Sequence, residues 1–233
     1  MADPENRKQH VDFQRSFFDQ HVDIFKKEIP EDVEARSEEI VRSILSGRDA
    51  AELKLLDVGT GVGAFLKHYC RQGVLKENII GCDLSTEMLA EARQRYPDVH
   101  FWQGDVLDFP EENGPVDLII FNACFGNIFD PFLVMKKCVR LLRANGRIAI
   151  SHPLGNTCVT QLMNLEPGLV LRLLPQSDDL AEWCEKLSLE LIVHRDETDL
   201  YLAIFDANNR SPEKNRSTQH SSDSAEADES SQA

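Results

Sequence analysis

Three aspartates, Asp57, Asp83 and Asp105, each stand at or just beyond the end of a short apolar segment. A carboxylate accepts hydrogen bonds from amines and hydroxyl groups, and it attracts positive charge. The carboxyl ends of parallel strands meet at one edge of an open α/β sheet, which is where such sheets bind ligands. If the three segments are parallel strands, the three acids therefore cluster at one ligand site.

A glycine-rich turn follows the first apolar segment. Residues 55–63 read LLDVGTGVG, so Gly59, Gly61 and Gly63 alternate directly after a predicted buried strand. Glycine lets the backbone bend sharply and approach a ligand without a Cβ in the way. Gly59, Gly61 and Ala64 also satisfy the dinucleotide fingerprint, so NAD is one candidate ligand.

Asp57 distinguishes between two classes of nucleotide ligand. It lies two residues before Gly59, where a carboxylate would repel a pyrophosphate bound at the following helix. It would attract an ammonium group, and S-adenosylmethionine carries an α-ammonium, a sulfonium and no phosphate. Asp83 stands 24 residues after Gly59, a spacing typical of an acid that binds ribose hydroxyls. Asp83 or Ser85 could equally cap the helix predicted after them.

Short apolar strands alternate with helices in the middle of the chain. The strands are predicted at 53–58, 78–82, 99–103, 116–121 and 147–151, and the helices at 63–72, 85–96 and 130–143. Nearly continuous apolar strands that alternate with helices are typical of a parallel sheet covered on both faces. We interpret two further strands, at 189–194 and 200–205 after a helix at 178–187, as an antiparallel hairpin at the sheet edge.

The chain divides into three predicted parts. Residues 1–50 read as helices, with an apolar stripe that includes Phe18 and Phe25 and a second helix that starts at Pro30. They are expected to pack on the sheet or cover its site. Residues 51–207 form the ligand-binding domain, with an insertion at 154–176. Residues 208–233 are acidic and rich in serine, and we expect a disordered tail.

Composition limits the classes of function. The 233 residues carry 25 Lys and Arg against 40 Asp and Glu, a net charge of −15. Such an excess repels phosphate backbones, so general nucleic-acid binding is not expected. No apolar segment approaches the ~18 residues of a membrane span, and the start of the chain does not resemble a signal peptide. The six cysteines lack zinc-site spacing. We expect a cytoplasmic protein with reduced thiols and no metal site.

The order D-x-G-x-G-x-G, then Asp83, then Gly104-Asp105, resembles a class I S-adenosylmethionine-dependent methyltransferase of the small-molecule type over residues 50–206. The resemblance implies an α/β, Rossmann-like fold: a seven-stranded, mostly parallel sheet of order 3-2-1-4-5-7-6, with an antiparallel terminal hairpin and helices on both faces. It assigns the glycines to the methionine side of S-adenosylmethionine, Asp57 to the network near the amino group, Asp83 to the ribose and Asp105 to the adenine amine. The other residues expected at the cofactor are Thr60, Leu84, Gly104, Val106 and Asn122.

Two residues at later strand ends are candidates for catalysis. Asn122 could hold a polar atom of the acceptor or cap the next helix. His152 could act as a general base, or it could be a hydrogen-bonded histidine at the rim of the sheet. The fourth strand lacks the Asn/Asp-Pro-Pro-Tyr sequence of enzymes that methylate nucleobase or glutamine amines. Phe125 and Phe129 could contact a substrate or belong to the core.

These observations favour a methyltransferase that moves the methyl group of S-adenosylmethionine to a small-molecule acceptor, with rate derived mainly from proximity and alignment. Two alternatives stay open at this point. One is an NAD-dependent oxidoreductase that uses the same glycine-rich turn. The other is a protein of the methyltransferase type that binds the cofactor without catalysing a reaction.

Overall fold

The computed structural model of the chain describes residues 4–166 and 168–208. A seven-stranded sheet forms its centre, in the order β3-β2-β1-β4-β5-β7-β6. The strands are β1 (Leu55–Val58), β2 (Ile79–Asp83), β3 (His100–Gln103), β4 (Val116–Asn122), β5 (Leu142–His152), β6 (Leu189–Glu197) and β7 (Leu200–Ala207). β7 is antiparallel to both of its neighbours, and the other strand pairs are parallel. The predicted fold, including the antiparallel hairpin, is confirmed.

Helices cover both faces of this sheet. They are α1 (Pro4–Gln20), α2 (Val22–Phe25), α3 (Glu31–Leu45), α4 (Leu66–Arg71), α5 (Thr86–Arg95), α6 (Pro131–Leu141), α7 (Gly155–Leu165) and α8 (Ser177–Leu187). None of those that lie within residues 4–166 and 168–208 combines the length and the apolar character needed to cross a membrane. Almost all of the predicted tail, 209–233, lies outside the described residues.

The structure differs from the sequence prediction mainly at element ends. β5 begins at Leu142 rather than at residue 147. Its first residues are mostly exposed and lack the apolar pattern from which the strand was predicted. α3 begins at Glu31, with Pro30 as the residue before the helix. The helix α7 lies inside the insertion 154–176, where none was predicted. The glycine and proline that obscure its pattern, Gly168 and Pro175, come after the helix has ended.

Alternating side chains of the strands build one hydrophobic core on each face of the sheet. Leu55 of β1 belongs to one core and Leu56 to the other, and both are fully buried. This follows from the two-residue period of a strand, which sends successive side chains to opposite faces. A fully buried aliphatic side chain contributes roughly 1.5 to 3 kcal/mol, so the sheet is a rigid support for its strand ends.

The strand register brings the carboxyl ends of the central strands level. Val58, the last residue of β1, lies opposite Cys82 of β2 and Phe121 of β4. Asp83 lies opposite Gln103, the last residue of β3. The side chains that follow these ends therefore face one common region at the edge of the sheet.

The helix α1 crosses this edge. Arg15 Nε donates a hydrogen bond of 3.3 Å to the carbonyl of Leu84, and Gln14 Nε2 donates one of 2.8 Å to the carbonyl of Asn127. Leu84 follows β2 and Asn127 follows β4. The N-terminal helices thus form a cover over the strand ends.

Candidate active site

The glycine-rich turn bends directly over the end of β2. Gly59 N donates a hydrogen bond of 2.8 Å to the carbonyl of Cys82, and Gly61 N donates one of 2.8 Å to Asp83 Oδ2. Gly59 has a φ of 70°, and a Cβ there would lie 2.7 Å from the Cβ of Cys124. Only glycine accommodates both the positive φ and this close approach.

Asp57 is a buried carboxylate with one unused oxygen. Its exposure is 2%, and Oδ1 accepts a hydrogen bond of 2.9 Å from the hydroxyl of Tyr69. Oδ2 is buried and has no hydrogen-bond partner among the described residues. Burial raises the pKa of Asp57 to about 6. An unpaired buried carboxylate oxygen is costly, and a ligand with an ammonium group would satisfy it.

Asp83 is held by backbone amides at the end of β2. Its Oδ2 accepts from Gly61 N at 2.8 Å, and its Oδ1 accepts from Ser85 N at 2.9 Å. The hydroxyl of Ser85 caps α5, since it accepts from Met88 N at 3.0 Å. Of the two caps that the sequence allowed, Ser85 performs the task. The carboxylate of Asp83 keeps lone pairs for hydroxyl donors at the site.

Asp105 has a protein partner that the sequence did not indicate. Arg7 of α1 donates to Asp105 Oδ2 through Nε at 2.9 Å and through Nη2 at 2.7 Å, and it also reaches Asp108. Asp105 Oδ1 accepts from Leu107 N at 3.0 Å. An amine bound at this carboxylate would therefore share it with Arg7.

The end of β4 holds the predicted residue Asn122. Its Oδ1 accepts a hydrogen bond of 3.0 Å from the hydroxyl of Ser151 on the neighbouring strand β5. Asn122 does not cap the next helix, because Asp130 fills that position at the start of α6. Phe125 is fully buried in the core, whereas Phe129 lines the site. Asn122 is thus fixed by Ser151 at the edge of the site.

The strand ends and the cover enclose a cavity of about 540 Å³. It is lined by ten of the predicted residues, which are Asp57, Gly59, Thr60, Gly61, Asp83, Leu84, Gly104, Asp105, Val106 and Asn122. Gly63 does not line the cavity, because it packs beneath the ring of Tyr96, where a Cβ would come within 3.0 Å. The structure thus brings the acids and most of the glycine-rich turn into one concave site, as expected of a ligand pocket.

His152 does not line this cavity, although Pro153 and Leu154 after it do. It is 6% exposed, and its Nδ1 accepts a hydrogen bond of 3.2 Å from Leu154 N. Burial lowers the pKa of His152 to about 4. These features agree with the alternative of a hydrogen-bonded histidine at the rim of the sheet.

Sequence reasoning missed the polar residues that α1 supplies. His10 and Gln14 line the cavity. His10 Nε2 lies 2.8 Å from the carbonyl oxygen of Asn127, and its ring lies 5.7 Å from that of Phe129. A carbonyl only accepts hydrogen bonds, so Nε2 is the donor in this contact, and Nδ1 makes no hydrogen bond with residues 4–166 and 168–208. The signal available in the sequence was three polar residues, Arg7, His10 and Gln14, at helical spacing on one face of α1.

Comparison with known proteins finds similarity in the central part of the chain. Residues 56–150 match the family described as "Methyltransferase domain". The demethylmenaquinone methyltransferase of Paenarthrobacter aurescens (strain TC1) is 25% identical over 186 residues, which cover 70% of this chain and 72% of that protein. The trans-aconitate 2-methyltransferase of Enterobacter sp. (strain 638) is 34% identical over 99 residues, which cover 42% of this chain and 38% of that protein.

A solved structure agrees with the fold. The N-methyltransferase NodS from Bradyrhizobium japonicum WM9, in complex with S-adenosyl-L-homocysteine, aligns with a TM-score of 0.64. The alignment covers 83% of this chain and 98% of NodS, at 14% sequence identity. At that identity the likeness concerns the fold.

Proposed function

We propose that this chain is a class I S-adenosylmethionine-dependent methyltransferase whose acceptor is a small molecule with an apolar body. The single observation that carries the proposal is the composition of the cavity wall opposite the strand-end acids. That wall comes from the N-terminal helices and from the residues after β5. Its apolar members are Phe18, Ile24, Phe25, Ile29, Val33 and Leu154.

The residues at the strand ends fit the cofactor. We propose that Asp57 Oδ2 takes its ammonium group, that Asp83 takes the ribose hydroxyls, and that Asp105 takes the adenine amine beside Arg7. The unpartnered buried oxygen of Asp57 supports the first assignment, because a buried carboxylate is stabilised by an opposite charge. The bound cofactor supplies an activated methyl group on a sulfonium. The protein supplies alignment and a cavity that limits access of water.

The apolar wall supports a hydrophobic acceptor. Phe18 and Phe25 pack edge to face with ring centroids 5.8 Å apart, and both line the cavity. Phe25 is 42% exposed and Ile24 is 54% exposed. Large exposed apolar side chains around a concave site are typical of a surface that binds an apolar ligand. The name of the relative from Paenarthrobacter aurescens, demethylmenaquinone methyltransferase, indicates a small-molecule substrate for that protein.

An acceptor that must lose a proton needs a base, and we propose His10 ahead of His152 for this task. His10 lines the cavity, and its Nδ1 can accept a proton, because Nε2 contacts the carbonyl of Asn127 and Nδ1 makes no hydrogen bond in the described part of the chain. The Nδ1 of His152 already accepts from Leu154 N. Replacement of each histidine by Gln in turn tests which of the two acts as the base. We expect His10→Gln to reduce methyl transfer about 100-fold and His152→Gln to leave it unchanged within about twofold.

The experiment that tests the function is a transfer assay with methyl-labelled S-adenosylmethionine and an extract separated into small-molecule and macromolecular fractions. We expect label in the organic-soluble, small-molecule fraction. Label in protein or nucleic acid alone would contradict the proposed acceptor class. The absence of label in every fraction, with cofactor binding retained, would favour the non-catalytic alternative.

Thermal unfolding gives an independent test of the cofactor side of the site. A ligand that binds only the folded state stabilises it in proportion to ln(1 + [L]/Kd). We expect S-adenosyl-L-homocysteine to raise the midpoint of unfolding and NADH to leave it unchanged. Stabilisation by NADH alone would favour the oxidoreductase alternative and contradict the assignment of Asp57.

A further inference from the structure

A second cavity, of about 400 Å³, adjoins the first at the base of the helical cover. The two cavities share part of their lining, namely Phe25, Lys27, Glu28, Ile29 and Ala64. Four of these residues belong to α2 or to the connection from α2 to α3, and Ala64 belongs to the glycine-rich turn. The two cavities therefore adjoin along this shared set of side chains.

The second cavity differs from the first in charge. Its lining contains four basic residues, Lys26, Lys27, Lys67 and Arg95, and two acidic residues, Glu28 and Glu34. The difference is a net charge of +2 in a chain whose net charge is −15. The first cavity, in contrast, contains the acids Asp57, Asp83 and Asp105.

Two of the basic residues already have acidic partners. Lys67 Nζ donates to Glu34 Oε1, and Lys26 Nζ lies 3.0 Å from Glu91 Oε1 and 3.2 Å from Asp23 Oδ1. No ion pair within residues 4–166 and 168–208 includes Lys27 or Arg95. Glu28 has no ion pair among the described residues either, so the lining residues without an ion pair, Lys27, Arg95 and Glu28, carry a net charge of +1.

We propose that the second cavity binds an anionic group, a carboxylate or a phosphate, at one end of the acceptor whose apolar body lies in the first cavity. This inference rests on the proposed function and deepens it. Lys27 and Arg95 supply the attraction, because a guanidinium and an ammonium both pair with carboxylates and phosphates. The acceptor class is thus an amphiphile with an anionic end.

The test compares two probes that differ only in charge. Octanoate and 1-octanol have eight carbons each and end in a carboxylate and an uncharged hydroxyl, respectively. Binding of each to the full-length protein is measured by calorimetry in saturating S-adenosyl-L-homocysteine. We expect octanoate to bind about tenfold tighter than 1-octanol, a factor typical of one or two partly exposed ion pairs. We also expect its affinity to fall as NaCl is raised from 50 to 500 mM. Equal affinity of the two probes would overturn the inference, as would absence of octanoate binding.

A double variant, Lys27→Ala with Arg95→Ala, locates the charge effect. Both side chains are exposed, so we expect the variant to fold, to bind S-adenosyl-L-homocysteine and to bind 1-octanol normally. We expect it to bind octanoate about tenfold more weakly. The matched control is Lys136→Ala, an exposed lysine of α6 that lines neither cavity. An equal loss of octanoate affinity in both variants would overturn the proposal.

The same variants distinguish a free anionic acceptor from a membrane surface. Octyl phosphate replaces octanoate in one arm, and vesicles of phosphatidylglycerol or phosphatidylcholine replace it in the other. Loss of octyl phosphate binding in the double variant supports the proposal. Loss of binding to phosphatidylglycerol vesicles alone, with octanoate binding retained, overturns it. Failure of the wild-type chain to bind S-adenosyl-L-homocysteine would contradict the proposed function itself.

Discussion

The two halves of the main cavity are built in different ways. The half proposed for the cofactor consists of strand ends, where the sheet fixes backbone amides, the buried carboxylate of Asp57 and the partly buried carboxylate of Asp83. The half proposed for the acceptor consists of helix side chains, including exposed ones such as Ile24 and Phe25. The first half has polar groups at points fixed by the sheet, and the second combines large apolar side chains with a few polar ones such as His10. The groups proposed for the cofactor are thus fixed by the sheet, and those proposed for the acceptor are set by the covering helices.

The largest expected effect is in the strand-end half. We expect Asp57→Asn to weaken binding of S-adenosyl-L-homocysteine about 100-fold, because loss of one partner of a buried ion pair costs roughly 3 kcal/mol. Calorimetry measures this affinity. The midpoint of thermal unfolding at pH 7.5 serves as the control, and it should not fall, since the substitution removes a buried charge. Affinity within threefold of the wild type would remove Asp57 from the ammonium site.

The pKa of Asp57 also predicts that cofactor affinity depends on pH. The pKa of Asp57 in the unliganded protein is about 6, and the ionised form is the one that attracts an ammonium group. Affinity for S-adenosyl-L-homocysteine should therefore fall about tenfold as the pH is lowered from 7.5 to 5. Calorimetry across this range measures it. In Asp57→Asn the dependence should disappear, and its persistence there would assign the titration to another group.

A smaller loss is expected at Asp83. We expect Asp83→Asn to weaken binding about tenfold, because a hydrogen bond from a hydroxyl to a carboxylate contributes roughly 1.5 kcal/mol or more. The amide oxygen keeps one of the two backbone contacts, so the turn should survive. Asp98→Asn, at an exposed acid remote from the cavity, is the matched control in the same calorimetric assay. Equal affinity of the two variants would contradict the ribose assignment.

Substitutions in the helical half should affect the acceptor and leave cofactor affinity nearly unchanged. We expect Phe18→Ala to lower kcat/KM for the acceptor about fivefold through loss of apolar contact. Affinity for S-adenosyl-L-homocysteine should stay within about twofold of the wild type. Phe13→Ala is the control, since Phe13 belongs to the same helix, is 48% exposed and does not line the cavity. A loss of cofactor affinity in Phe18→Ala without a change in kcat/KM would contradict the division into two halves.

The smallest effect is expected at the junction of the halves. Arg7 ties α1 to Asp105 and is partly exposed. Arg7→Ala should lower the free energy of unfolding by roughly 0.5 to 1 kcal/mol, and 0.5 M NaCl should reduce the difference. Urea unfolding at both salt concentrations measures it. Lys8→Ala, whose partner Asp12 lies on the same exposed helix face, should have a smaller effect. A larger loss in Lys8→Ala would argue against a joining role for Arg7.

The cofactor half could be predicted from the sequence because its signals are local. The strand patterns and the spacing of Gly59, Asp57 and Asp83 specify which groups follow which strand, and parallel pairing then requires that they meet. The strand order 3-2-1-4-5-7-6 followed from the resemblance and is confirmed. The helix α7 escaped prediction because Gly168 and Pro175, which come after its end, interrupt the apolar pattern of the insertion 154–176.

By itself, then, the sequence predicted the fold, the proposed cofactor and the acids at the strand ends, because each depends on contacts between neighbouring residues or neighbouring strands. Only the tertiary structure decided that Arg7 lies against Asp105, that His10 lines the cavity while His152 does not, and that Lys27 and Arg95 border one second cavity. These pairs are separated by 68 residues or more in the chain. Their proximity follows from how α1 and the α2–α3 connection pack over the sheet, and no local pattern encodes that packing.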